Sequence, residues 1–111
     1  MQILMERRSN SKYQNKLCIV GGIKFHSIKE GKRYVDLLLL QKAGKIFKLQ
    51  LQTPFKIEIN GVKICTYRAD FTYYDAAGAY VVEDTKGKLT DVYKLKKKMV
   101  LAIHSITILE T

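Results

Sequence analysis

Asn60-Gly61 limits what this chain can fold into more than any other pair of residues. A two-residue type I′ turn needs positive φ at both central positions, and Asn-Gly supplies it most readily. Phe55–Ile59 before the pair and the run from Val62 after it therefore predict a β-hairpin at this point. The hairpin leads into a strand carrying Asp70. The stretch Tyr67–Lys86 then reads as two adjacent strands joined by a short turn, with Asp84 and Lys86 near the end of the second.

Strand side chains alternate between faces. By that count Arg68, Asp70 and Thr72 share one face, and Tyr67, Ala69, Phe71 and Tyr73 the other. Val82, Asp84 and Lys86 point together, away from Val81, Glu83 and Thr85. If the strands pair, Asp70 and Asp84 stand close enough to repel each other, and a divalent cation removes that cost by taking carboxylate oxygens as ligands. A D-x-K pair alone is a common surface feature. Here its weight comes from Val81-Val82 before it, Gly87 after it and an acid in the middle of the preceding strand. Glu83 is turned away from Asp70 and is expected to be solvated or ion-paired.

Two helices are expected. Ser27-Ile28-Lys29-Glu30 is an S-x-x-E capping box, followed by helical spacing of Ile28, Gly31, Val35 and Leu38 to Ala43 and a stop at Gly44. Thr90 is the expected cap of the second helix, with Asp91 near its positive end and an apolar stripe of Val92, Leu95, Met99 and Ile103. Lys94, Lys97 and Lys98 then form a basic face with Tyr93, and Lys96 lies on the flank. Gly31 departs from expectation, since glycine is a poor helix-interior residue where alanine would serve.

Elsewhere, Leu17–Val20 and Ile23–Phe25 flank Gly21-Gly22 as a short hairpin. Lys45–Gln52 alternates as a strand, and Ser105–Glu110 makes a closing strand. Residues 1–11 lack a clear period and are expected to form a flexible basic arm, followed by one domain over residues 12–111. The fold class is α/β in the broad sense: an α+β arrangement with a central mixed sheet flanked by helices.

Composition narrows the partner. Among 111 residues, 20 Lys and Arg against 10 Asp and Glu give a formal charge of +10, which favours a polyanion through phosphate contacts and counterion release. Cys18 and Cys65 are too few and too far apart for a zinc motif and are expected to be reduced core thiols in a cytosolic protein. The longest apolar run, Leu37–Leu40, falls far short of a membrane span.

Metal-assisted phosphodiester hydrolysis needs two carboxylates to hold Mg²⁺ and a cation near the attacked phosphate. Asp70, Asp84 and Lys86 match. Glu30 is explained by its place in the capping box, although a helix packed on the sheet could also bring its first turn to the metal. Gln50 and Gln52 face either solvent or a phosphate. The strand tyrosines Tyr67, Tyr73, Tyr74 and Tyr80 either pack across strands or stack on bases.

The segments Ser11–Asn15, Phe25–Tyr34, Leu49–Gln52, Tyr67–Phe71 and Val81–Gly87, with Thr90 and Tyr93, together resemble a family of short bacteriophage and prophage proteins placed in the PD-(D/E)XK nuclease superfamily. The likeness covers nearly the whole chain after Ser11. It is similar to Holliday-junction resolvases, in which a helical glutamate joins two strand acids and a lysine. The resemblance implies a restriction-endonuclease-like core and a catalytic set of Glu30, Asp70, Asp84 and Lys86, with the three acids as ligands of Mg²⁺, for which Mn²⁺ would substitute. Ala69 stands where the superfamily's name has proline.

The resulting expectation is a Mg²⁺-dependent endodeoxyribonuclease acting on branched phage DNA in the cytoplasm of a bacterial host, as a homodimer that cuts two strands symmetrically. DNA contacts are expected from Lys94, Lys97, Lys98, Arg68, Gln52, Arg7 and Arg8. The rivals are a nicking or transposase-like endonuclease on linear DNA and a non-catalytic DNA-binding module.

Overall fold

A computed structural model describes residues 3–7, 16–86 and 89–111, with the backbone alone for Ile3–Arg7 and for Lys16 and Leu17. The chain divides into two compact units, Met1–Gly44 and Lys45–Thr111.

The first unit is a three-stranded antiparallel sheet in the order β1 (Ile3–Arg7), β2 (Lys16–Val20), β3 (Ile23–Phe25), followed by helix α1 (Ile28–Lys42). Ile3–Arg7, expected within a flexible arm, is thus a strand whose residues pair from Ile3 with Val20 to Arg7 with Lys16. The β2–β3 turn is Gly21-Gly22, both at positive φ (56° and 83°), as the two-residue hairpin needs. Ser27 caps α1, its Oγ accepting from the Glu30 N–H at 3.1 Å.

Gly31 has a structural reason. A Cβ built there would stand 2.3 Å from Cys18 Sγ and 3.1 Å from Cys18 Cβ. Glycine is what lets α1 approach β2 over a buried thiol, and this contact offsets its poor helix propensity. Both cysteines are free, and burial pushes the Cys18 thiol above its ordinary value against the opposing pull of Lys32.

In the second unit a four-stranded mixed sheet runs β4 (Ile46–Ile59), β5 (Val62–Asp75), β6 (Tyr80–Asp84), β7 (Leu109–Glu110). The first three strands are antiparallel, and β7 returns parallel to β6 after helix α2 (Asp91–His104). The protein is therefore of mixed α+β class, as expected. Asn60 and Gly61 have φ of 50° and 79°, the signs a type I′ turn requires. Lys45–Gln52 and Phe55–Ile59, read separately in the sequence, are one strand continuing through Pro54. Its place at the sheet edge explains the tolerance, since an edge residue can spare a donor. Asp75 closes the β5–β6 turn, its Oδ1 accepting from the N–H groups of Ala77 and Ala79, both at 2.9 Å.

Ile57, Tyr67, Ala69, Val82, Tyr93, Val100 and Ile108 form the core of this unit. Helix α2 contributes Tyr93 and Val100 to it, so the helix is rotated from the expected stripe. Val92 and Leu95 are 64% and 58% exposed. Glu83 also differs from expectation. Its side chain is 0% exposed and accepts a hydrogen bond from the Tyr73 hydroxyl. Among the described residues no helix is long and apolar enough to cross a membrane.

Candidate metal centre

Strands β5 and β6 deliver the two acids. The ladder pairs Phe71 with Glu83, which sets Asp70 beside Asp84 one position further on. The carboxyls adjoin closely enough for one to hydrogen-bond the other when a proton is present, and the Asp70 carboxyl raises the cost of ionising Asp84. The sequence expectation that these acids share a face is met.

Asp84 is 1% exposed. Its Oδ2 accepts a 2.5 Å hydrogen bond from the Tyr67 hydroxyl, and its Oδ1 lies 3.3 Å from Lys86 Nζ. That ion pair lacks hydrogen-bond alignment, so Oδ1 is a buried carboxylate oxygen that receives no hydrogen bond from the described residues. Burial first, and then the Asp70 carboxyl, push Asp84 up to about 7, against the opposing effects of Tyr67 and Lys86. Asp70 is held differently. Its Oδ2 accepts from the Thr85 N–H at 2.9 Å, and Gln52 Nε2 donates to its Oδ1 at 3.4 Å.

Strand alternation breaks at this point. Gln52 has a left-handed φ of 52°, and the β4–β5 ladder passes from Leu51–Phe71 to Thr53–Ala69 without pairing Gln52 with Asp70. Thr53 Oγ1 nevertheless lies 2.7 Å from Thr72 Oγ1, which perfect alternation would place on the opposite face. The pleat changes phase at Asp70. Tyr67, expected on the face away from Asp70, accordingly reaches Asp84. Irregularities of this kind re-aim side chains beside active sites.

Lys86 lies beyond the end of β6 on irregular chain, yet it is oriented from two sides. Its Nζ sits 4.5 Å from the centroid of the Tyr93 ring and 3.3 Å from Asp84 Oδ1. The Tyr93 hydroxyl donates to Glu110 Oε2 at 2.8 Å, and Lys97 Nζ lies 3.2 Å from Glu110 Oε1. Burial, then the bond to Glu110, raise the Tyr93 phenol. The same bond and Lys97 hold Glu110 below the usual carboxylate range. Burial and the bond to Asp84 also raise Tyr67.

Of the other expected site residues, Glu30 belongs to the first unit, where its side chain is 7% exposed and its N–H is bound by Ser27. Among the described residues no three His, Cys, Asp or Glu side chains gather into a group that could hold a metal ion. The metal reading therefore rests on Asp70 and Asp84. Their chemistry fits a hard divalent cation, because they offer carboxylate oxygens, one of them buried and without a donor among the described residues, and Asp84 resists ionisation beside Asp70.

Arg68 lines a groove with Lys86 and Lys96. Lys94, Lys97 and Lys98 line a different one, with Leu101 and Ile106. Only the backbone of Arg7 is described, and Arg8, Gly87 and the segment Ser11–Asn15 lie outside the described residues.

Sequence reasoning missed Tyr67 and Tyr93 as supports of the site and Lys96 as its neighbour. For Tyr67 the available signal was a tyrosine in a half-buried strand near an acid, because a buried phenol must find an acceptor.

A family model described as "Protein of unknown function (DUF1064)" matches residues 10–106. No curated protein matches the chain. No solved structure matches it either.

Proposed function

The chain belongs to the DUF1064 family, and since that description names no activity, we propose from the site itself that the protein is a metal-dependent endodeoxyribonuclease of the PD-(D/E)XK type. The observation that carries the proposal is the buried Asp84 Oδ1, without a hydrogen-bond donor among the described residues and set beside a second carboxylate and a lysine. A surface ion pair has no need of burial or of a second acid. A cation site needs both acids, and a phosphodiester hydrolase needs the lysine as well.

Asp70 and Asp84 would hold Mg²⁺, or Mn²⁺ in its place. The cation would supply Lewis-acid polarisation of the scissile phosphate and a more acidic water. The remaining work falls to the chain's own groups. Tyr67 occupies Asp84 Oδ2 and so leaves Oδ1, which faces Lys86 without a hydrogen bond from it, as the ligand atom. Thr85 N–H and Gln52 fix the Asp70 carboxylate. Lys86 presents a positive charge where the phosphate oxygens gain negative charge during attack. The Tyr93 ring and Asp84 confine that ammonium, so little reorganisation is needed in the transition state.

The formal charge of +10 supports DNA as the substrate. Branched phage DNA, cut by a homodimer in the host cytoplasm, is the proposed context and follows the resemblance to junction resolvases. The test is a cleavage assay on labelled four-way junction, flap and linear duplex DNA with Mg²⁺, Mn²⁺ or chelator, run beside Asp84→Ala and Lys86→Ala. The expected result is metal-dependent cutting, strongest on the junction, that both substitutions reduce by at least about a hundredfold. Preference for linear duplex would favour a nickase, and variants as active as the parent would remove the mechanism.

A further inference from the structure

A second feature adjoins the two acids. Strand β5 and the first two turns of α2 enclose an open groove of about 300 Å³ in which Arg68, Lys86 and Lys96 meet the hydroxyl-bearing residues Thr66, Thr90, Tyr67 and Tyr93. No Asp or Glu is among the described residues that line it. We propose that this groove is a phosphodiester-binding subsite, holding a backbone phosphate next to the one that is cut.

The donors are available. Thr90 caps α2 by accepting from the Tyr93 N–H through Oγ1 at 3.1 Å, which leaves its O–H hydrogen free to donate into the groove. The Tyr67 hydroxyl hydrogen is already committed to Asp84, so Tyr67 shapes the wall and does not bind the anion. Helix α2 turns its positive end towards the groove, adding to the three side-chain charges. Lys86 belongs to the groove and to the metal centre alike. A strand entering past Arg68 and Lys96 would therefore reach the acids without leaving positive potential.

The larger groove on α2 suits a phosphate chain poorly, although Lys94, Lys97 and Lys98 line it. Glu110 takes the Lys97 ammonium and lies in the same wall, and Leu101, Ile106 and Ile108 make the floor apolar. Three lysines in sequence suggested a phosphate track, whereas the fold points Lys96 into the groove beside the acids.

This inference rests on the nuclease reading for its position but not for its test. DNA binding by the full chain is measured by fluorescence anisotropy with labelled duplex and junction DNA, in chelator so that nothing is cut, from 50 to 200 mM salt. Arg68→Gln/Lys96→Gln is compared with Lys94→Gln/Lys98→Gln and with Lys45→Gln/Lys63→Gln, three doubles that lower the formal charge equally. The first double is expected to weaken binding at least tenfold and to flatten the slope of log affinity against log salt by about 1.8, or about 0.9 per lost contact. The Lys45/Lys63 double is expected to change the slope by less than about 0.5. Equal losses in all three doubles, or a loss confined to Lys94/Lys98, would overturn the subsite. Arg68 is exposed, so Arg68→Gln alone, expected to show half the slope change, keeps the test decisive if the double misfolds. A flattened slope without cleavage under any metal keeps the subsite and removes the nuclease. Metal-dependent cleavage with an unchanged slope does the reverse.

Discussion

Replacing Asp84 by Asn should stabilise the metal-free protein, increasingly so as pH rises from about 4 to about 7. Asp84 ordinarily titrates near 3.8, and in the fold burial and Asp70 raise it to about 7. Between those values the folded chain holds a proton that the unfolded chain has released. Stability therefore falls as pH rises through this window and levels off above about 7. At about 1.4 kcal/mol per tenfold, the accumulated loss is roughly 4 kcal/mol, a large part of what a small domain possesses. Asn keeps the group uncharged at every pH. Its Oδ1 can accept from Tyr67 while its amide donates to the Asp70 carboxylate. Urea unfolding with chelator present should show Asp84→Asn more stable than the parent by about 3–4 kcal/mol at pH 8 and by only about 1–2 kcal/mol at pH 5. Adding Mg²⁺ should narrow the gap at pH 8 from the other side, since a ligand at a hundred times its Kd stabilises the parent by about 2.7 kcal/mol. A variant no more stable than the parent at pH 8, or a difference equal at both pH values, would refute the account of two acids crowded together without their cation.

Three further outcomes follow from the geometry. Tyr67→Phe removes the donor to a buried carboxylate oxygen and should cost about 1–3 kcal/mol at pH 8 in the same unfolding experiment, with a smaller loss at pH 5. Gly31→Ala should destabilise by about 1–3 kcal/mol despite the better helix propensity of alanine, because the new methyl meets Cys18 Sγ. Combining it with Cys18→Ala should recover most of that loss in a double-mutant cycle, and additive losses would show that the contact is not the cause. Tyr93→Phe keeps the ring over Lys86 but leaves Glu110 to Lys97 alone. It should leave Mg²⁺ binding, read by calorimetry, within about twofold of the parent, whereas Tyr93→Leu should lower the cleavage rate by about tenfold.

The features legible in the sequence are those fixed by local chemistry. Asn60-Gly61, Gly21-Gly22, Ser27 and Thr90 each act within a few residues, and each does what its backbone requirement dictates. Asp70 and Asp84 were legible as a pair because strand pairing brings evenly placed acids together. What was lost depends on packing partners that no local pattern names. The α2 stripe was misread because Tyr93 has a polar tip and an apolar body and was counted with the lysines, while Val92 and Leu95 face outward. Tyr67 was put on the wrong face because alternation assumes an unbroken pleat, and the change of phase needs the left-handed Gln52 on a neighbouring strand to reveal it. Glu83 looked like a surface acid until the core closed over it and Tyr73 bound it.

The slot around Lys86 bears on which cation the site can accept there. An ammonium is compact and can rest on the Tyr93 ring while touching a single oxygen of Asp84. A guanidinium in the same place would lie flat on the ring and present a two-pronged edge to the carboxylate, seizing the very oxygen that Tyr67 leaves open. Arginine here, though it carries the same charge, would compete with the proposed metal ion for that oxygen, so the two basic residues are not interchangeable at this position.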